Sequence, residues 1–138
     1  METKDKPLQV MIIGAGHRGM YKYGELTKRE DVNLKVVSVA EPVDEKREKM
    51  RAEHNIPSYH CFKSWQDALK QEKFCDAVII ATPDKLHHDI AIAALNKGYD
   101  IILEKPMATS PKECINIFKA EEKTGNVLSV AHVLRYTP

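Results

Sequence analysis

A glycine-rich segment offers the clearest chemistry in the sequence. Residues 14–19 read Gly-Ala-Gly-His-Arg-Gly, directly follow an apolar run at 8–13, and open a helical pattern. Gly14 permits a tight turn, Gly16 lets the backbone approach a pyrophosphate, and Gly19 lets the helix pack closely on a sheet. Free N–H groups and the dipole at a helix N-terminus favour an anion at the same place. The segment therefore predicts a dinucleotide-binding loop.

Two polar side chains, His17 and Arg18, lie on the crest of this loop. We expect both beside the phosphates, although a solvated surface arginine is an equally good interpretation of Arg18.

An acidic residue, Glu41, ends the second apolar run and lies 22 positions after Gly19. A carboxylate there can accept hydrogen bonds from the adenosine ribose and would repel a 2′-phosphate, which favours NAD over NADP. Two alternatives remain open. Glu41 could simply precede the next helix, and Lys46 and Arg47 could bind a phosphate about one helical turn onward.

Three further polar segments follow later strands of the predicted sheet. Thr82-Pro83 and His87 come after the fourth, Glu104-Lys105-Pro106 after the fifth, and residues 132–138 (HVLRYTP) after the sixth. The carboxyl ends of parallel strands are where such a sheet binds its ligand. Glu-Lys-Pro taken alone is also compatible with a charged surface turn. His132 could face a ligand or be a hydrogen-bonded core histidine.

The elements that position these residues alternate along the chain. Strands are predicted at 8–13, 34–40, 59–62, 77–81, 100–103 and 127–131. Helical patterns cover about 18–28, 43–54 with Met50 as buried anchor, 64–70 with Ser64 as N-cap, 86–96, and 110–124 with a Ser110 capping box and Gly125 as stop. Right-handed βαβ units of this kind predict an α/β fold, a Rossmann-type doubly wound parallel sheet of about six strands with helices on both faces.

Together, the glycine loop and the segments after strands four, five and six resemble the Gfo/Idh/MocA family, the glucose-fructose oxidoreductase and inositol dehydrogenase group. The resemblance covers essentially the whole chain, and Glu104-Lys105-Pro106 is its most specific mark. It implies an NAD(P)-dependent oxidoreductase that transfers hydride to or from a sugar, cyclitol or polyol.

The resemblance also assigns roles to individual residues. Thr82 and Pro83 would line the cofactor crevice, and His87 would reach toward ribose. Lys105 would stand beside the nicotinamide and the substrate hydroxyl as the catalytic residue, and Glu104 would hold that lysine or the ribose.

The family's substrate-binding and oligomer-forming domain is expected beyond residue 138. We therefore expect residues 1–138 to form the NAD(P)-binding domain of a longer homo-oligomeric enzyme, inactive when isolated. A natural single-domain protein is the alternative.

Other functions remain open at this stage. A module that binds NAD(H) without chemistry would have no use for Lys105, and a family member that uses NAD transiently to cleave glycosidic bonds would differ in the missing half. A SAM-dependent methyltransferase shares the acid after the second strand but fits the glycine spacing less well.

Composition excludes several classes of function. A net charge of +1 without a basic stripe argues against nucleic acid, and no segment predicts a signal peptide or a membrane span. Three widely spaced cysteines, Cys61, Cys75 and Cys114, indicate reduced thiols in a cytoplasmic protein. No zinc-ligand spacing is present, and the single tryptophan, Trp65, is interpreted as packing.

Overall fold

A computed structural model of the protein describes residues 6–137. Within these residues, six strands form one sheet in the order β3-β2-β1-β4-β5-β6, and every neighbouring pair is parallel. The strands are β1 (Leu8–Ile13), β2 (Leu34–Ala40), β3 (Cys61–Phe62), β4 (Ala77–Ile80), β5 (Asp100–Glu104) and β6 (Leu128–Ala131). The predicted doubly wound α/β sheet is confirmed.

Helices connect the strands. A π-helix (His17–Gly24) follows β1, and the α-helices are α1 (Asp44–His54), α2 (Trp65–Lys70), α3 (His87–Asn96) and α4 (Pro111–Thr124). Short 3₁₀-helices occupy Ser58–His60, Asp84–Leu86 and Val133–Tyr136.

The sheet separates two hydrophobic cores, because successive side chains of a strand point to opposite faces. Met11 and Ile13 of β1 belong to the core beneath α2, α3 and α4. Val10 and Ile12 belong to the other core, beneath the π-helix and α1, where Met50 is fully buried as predicted. Helices therefore cover both faces, and β1 contributes to both cores.

The predicted helix boundaries are correct where the sequence supplies caps. The hydroxyl oxygens of Ser64 and Ser110 accept hydrogen bonds from the backbone amides of Asp67 and Glu113, at 3.1 and 3.2 Å. Gly125 ends α4 in the left-handed conformation with φ = +72°.

Three details differ from the sequence-based expectation. The helix after the glycine loop is wound as a π-helix over its first eight residues. The third strand has only two residues, since Ser58–His60 turns as a 3₁₀-helix first. Residues 133–136 form an unpredicted 3₁₀-helix. Residues 1–5, part of the segment used to argue against a signal peptide, and Pro138 of the last motif lie outside the described residues.

Across residues 6–137, no helix combines the length and the apolar character that crossing a bilayer requires. Cys61, Cys75 and Cys114 are all free thiols. Burial raises the pKa of the Cys75 thiol to about 11, which disfavours the reactive thiolate at that position.

Candidate functional site

A cleft, which we name the main cleft, opens at the carboxyl ends of the strands, beside the point where the order of the sheet reverses between β1 and β4. Its volume is about 430 Å³, within the range of small-molecule sites. Five residues predicted to bind the cofactor line it: Gly14, Gly16, Glu41, Thr82 and Pro83. The structure thus brings together residues from three loops that are up to 69 positions apart in sequence.

The three glycines of the loop differ in the space that a Cβ would find at each position. Gly14 has φ = +96°, and a Cβ there would lie 2.5 Å from the carbonyl oxygen of Ala81. A Cβ on Gly19 would overlap the carbonyl oxygen of Gly14. By contrast, a Cβ on Gly16 would meet no protein atom within 4 Å, so packing inside the described protein does not require glycine there.

His17 and Arg18 point to different places around the loop. His17 is exposed and lines a groove of about 310 Å³ between the π-helix and α1, together with Lys46 and Lys49. Arg18 instead lines a second cleft, of about 470 Å³, that is also lined by Tyr23 and Glu104. Neither lines the main cleft, and contact of either with phosphate stays a prediction.

Glu41 is buried at the end of β2, with 5% of its surface exposed. Its Oε2 accepts a hydrogen bond from the Ala15 amide at 2.7 Å, and its Oε1 accepts one from the Val43 amide at 2.9 Å. The side chain therefore lies at the edge of the main cleft and is bonded to the glycine loop.

The two cations that follow Glu41 differ in availability. Arg47 is buried, donates to the Glu41 carbonyl oxygen at 2.7 Å and pairs with Asp44. Lys46 is exposed and lines the main cleft. Of these two residues, only Lys46 is placed to meet a ligand.

The loop after β4 supplies the opposite wall of the cleft. Thr82 and Pro83 both line it, in agreement with their predicted position. The Thr82 hydroxyl is buried and has no hydrogen-bond partner among residues 6–137. A buried polar group without a partner costs free energy, so the Thr82 hydroxyl is a candidate contact for a ligand or an ordered water.

His87 has a different position from the one expected. It is fully buried, and its Nδ1 and Nε2 lie 2.7 and 3.0 Å from the carbonyl oxygens of Pro106 and Thr82. Both ring nitrogens are already engaged with the main chain. His87 therefore links the loops after β4 and β5, and no exposed nitrogen is left to reach ribose directly.

The Glu104-Lys105-Pro106 segment follows β5 and contains a cis peptide bond between Lys105 and Pro106. Lys105 is exposed and makes no hydrogen bond or ion pair within residues 6–137. Glu104 is buried, and its Oε1 accepts a hydrogen bond from the Tyr23 hydroxyl at 2.6 Å. The backbone of Lys105 thus lies between two anchored neighbours, Glu104, which is bonded to Tyr23, and Pro106, whose carbonyl oxygen lies 2.7 Å from Nδ1 of His87.

Sequence reasoning missed two contributors to the site. Trp65, interpreted as packing, does pack against the larger core but also lines the main cleft with Lys63 and Ser64. The available signal was that these three residues directly follow β3, at the same edge of the sheet as the other cleft residues. Tyr23 lies within the predicted helix at 18–28, and nothing in the sequence connects it with Glu104.

His132 follows β6 and is exposed. The alternative of a hydrogen-bonded core histidine is therefore wrong.

The residues of the main cleft fit a dinucleotide. The loop offers a backbone at Gly16 that nothing in the described protein crowds, and Thr82 offers an unpartnered hydroxyl on the facing wall. Glu41 contributes a buried carboxylate at the far edge. An anionic diphosphate with a ribose hydroxyl pair on each side has the chemistry that this set can satisfy.

Comparison with known proteins also points to a dinucleotide-binding domain. The family model GFO_IDH_MocA, an oxidoreductase family with an NAD-binding Rossmann fold, matches residues 8–132. The chain is 34% identical to an inositol 2-dehydrogenase from Arthrobacter sp. over 86% of its own length. That alignment spans only 34% of the length of the dehydrogenase.

Two solved structures share the fold over most of the chain. The WlbA dehydrogenase from Chromobacterium violaceum, in complex with NADH and UDP-GlcNAcA, matches with a TM-score of 0.80 and 25% identity over 92% of this chain and 35% of its own. Biliverdin reductase from Synechocystis sp. PCC 6803, in complex with biliverdin and NADP⁺, matches with a TM-score of 0.81 and 25% identity over 94% of this chain and 39% of its own.

Proposed function

Because the chain belongs to the Gfo/Idh/MocA oxidoreductase family, we propose that it binds NAD, in preference to NADP, as the cofactor-binding part of a dehydrogenase. The observation that carries the proposal is the main cleft. There the glycine loop, Glu41 and Thr82 surround one space at the reversal point of the sheet.

The preference for NAD is supported by the charge at the far edge of the cleft. The Glu41 carboxylate lies where the adenosine ribose is bound in a Rossmann domain, and a 2′-phosphate beside it would be repelled. Arg47, which could have offset that repulsion, is engaged by Asp44 and by the Glu41 carbonyl. Lys46 and Lys63, which both line the main cleft, are the cations there among the described residues that could favour NADP.

The substrate class follows from the family and from the position of Lys105. We propose a sugar, cyclitol or other polyol, whose carbon–hydrogen bond supplies the hydride that a nicotinamide accepts when bound. The Lys105 ammonium has no partner among residues 6–137 and lies just after the carboxyl end of β5. From there it can hydrogen-bond the reacting hydroxyl and relay its proton.

The rest of the enzyme is also part of the proposal. We propose that residues 1–138 form the NAD(P)-binding domain, and that a further domain completes the substrate site and forms a homo-oligomer. The 34% share of the inositol dehydrogenase that the chain spans supports this organisation. The isolated chain would bind cofactor without turnover. Its free cysteines fit a cytoplasmic enzyme.

Calorimetric titration of the chain with NAD and NADP tests the cofactor proposal. We expect saturable binding of NAD, with NADP weaker at the same ionic strength. Absence of binding by either dinucleotide would overturn the proposal, and tighter binding of NADP would overturn the stated preference.

A further inference from the structure

The carboxylate of Glu41 accepts hydrogen bonds from the protein's own backbone. Its two oxygens accept hydrogen bonds from the amides of Ala15, inside the glycine loop, and Val43, just before α1. The Ala15 bond is short, at 2.7 Å, and is buried. One side chain therefore ties the loop after β1 to the corner after β2.

The amide of Ala15 has no good substitute for this partner. Ala15 is 1% exposed, so water cannot readily replace the carboxylate if it is removed. Ala15 also lies between Gly14 and Gly16, the residues that set the turn and the place where the backbone approaches a ligand. Any rotation of the Ala15 peptide would change the direction of the neighbouring amides.

The same carboxylate still faces the cleft. An ionised carboxylate has about four acceptor positions, and the described backbone occupies two of them through Ala15 and Val43. Glu41 lines the main cleft despite its burial. It can therefore hold the loop and still accept a hydrogen bond from a ribose hydroxyl.

We propose that Glu41 is a positioning residue that fixes the glycine loop in its binding conformation before the cofactor arrives. The proposal deepens the cofactor-binding function above and rests on it. It differs from a residue that only distinguishes NAD from NADP. A loop held by Glu41 serves the pyrophosphate of either dinucleotide, so removal of the carboxylate weakens the phosphate contacts of both, in addition to any change at the ribose.

The two roles predict different outcomes for Glu41→Ala. If Glu41 only recognises ribose, the variant binds NAD more weakly and binds NADP as well as before or better, because repulsion of the 2′-phosphate is gone. If Glu41 also positions the loop, the Ala15 amide of the cofactor-free chain exchanges faster in the variant. Loss of the ordered loop then raises the Kd for NAD by at least about tenfold, the scale set by a lost hydrogen bond to a charged group, and offsets the gain in NADP affinity from the lost repulsion.

The experiment measures binding and loop order separately. NAD and NADP are titrated into the wild-type chain, Glu41→Ala and the near-isosteric Glu41→Gln, and amide hydrogen exchange is followed by NMR without cofactor. We expect exchange at Ala15 to be about tenfold faster in Glu41→Ala. Glu41→Gln, which keeps one acceptor oxygen, is expected to be intermediate. Glu30→Ala, which removes an exposed carboxylate elsewhere, is the charge-matched control and should change neither quantity.

Thermal unfolding of each variant shows whether it is folded at the temperature of the titration, and Glu41→Gln carries the test if Glu41→Ala is not. Unchanged exchange at Ala15 in Glu41→Ala and Glu41→Gln, or an unchanged Kd for NAD in a folded Glu41→Ala, overturns the positioning role. If the wild-type chain binds neither dinucleotide, the proposed function fails instead, and exchange at Ala15 still decides whether Glu41 orders the loop.

Discussion

The hydroxyl of Tyr23 donates a 2.6 Å hydrogen bond to Oε1 of Glu104, which joins the π-helix to the carboxyl end of β5. Burial, followed by this bond and the charge of Glu104, raises the pKa of Tyr23 well above its ordinary value of 10. The tyrosine therefore remains a protonated donor across the neutral range. The bond fixes the residue immediately before Lys105 and so limits where that lysine can stand.

Tyr23→Phe removes the donor and leaves a buried carboxylate oxygen without it. We expect the free energy of unfolding to fall by about 1–3 kcal/mol in urea titration at pH 7. Tyr21→Phe is the matched control, because the Tyr21 hydroxyl is hydrogen-bonded, among the described residues, only by the exposed Lys49 at 3.0 Å, and its loss should cost less than about 1 kcal/mol. Equal losses in the two variants would contradict a special role for the Tyr23–Glu104 bond.

Two glycines of the same loop should respond oppositely to alanine. Gly19→Ala would place a methyl group on the Gly14 carbonyl and should lower the free energy of unfolding by at least about 2 kcal/mol. Gly16→Ala meets no protein atom within 4 Å and should change stability by less than about 0.5 kcal/mol. We expect Gly16→Ala instead to weaken NAD binding about tenfold. Full NAD affinity in a folded Gly16→Ala variant would show that no ligand approaches this backbone.

His54 should make the fold sensitive to mild acid. Its buried Nε2 has no partner among the described residues, and burial, followed by the charge of Lys28, lowers its pKa from 6.5. The unfolded chain thus binds the proton more readily, so this contribution to stability is complete above pH 6.5 and is lost as pH falls below it.

The measurement is urea unfolding at pH 7.5 and 5.5 (values chosen to lie about one unit on either side of the reference pKa). We expect His54→Gln to lose less stability between the two than the wild type. His17→Gln, which removes an exposed histidine, should follow the wild type. If His54→Gln loses as much stability as the wild type, another group causes the acid response.

Lys105→Met should separate catalysis from cofactor binding in the full-length protein. Without the ammonium, turnover of a polyol should fall by about 10²–10⁴-fold, followed through the absorbance of reduced nicotinamide. The Kd for NAD should stay close to that of the wild type, because the exposed Lys105 does not line the main cleft. Lys112→Met, a change at an exposed lysine on α4, is the control. Unchanged turnover in Lys105→Met would remove the catalytic assignment.

The sequence predicted those parts of the molecule that depend on local pattern. The parallel sheet and its two-sided packing follow from alternating apolar runs and right-handed crossovers, and the caps at Ser64 and Ser110 follow from short-range hydrogen bonding. The predicted cleft residues Gly14, Glu41 and Thr82 follow from their places after strands.

Contacts between distant segments could not be predicted in the same way. The Tyr23–Glu104 bond joins residues 81 positions apart, and His87 turned inward to the Pro106 carbonyl 19 positions away. These pairings depend on the three-dimensional positions of two loops relative to one another. The π-helical winding after the glycine loop likewise has no signature in residue type.

The position of β1 has a consequence for local opening of the fold. The strand lies between β2 and β4, and its side chains anchor both cores, while the glycine loop begins where it ends. Local opening at the start of that loop would require β1 to lose its packing in both hydrophobic cores at once. The glycine loop, which we propose meets the dinucleotide, therefore starts from the strand expected to resist local opening most, whereas local opening is expected first at the outer strands β3 and β6.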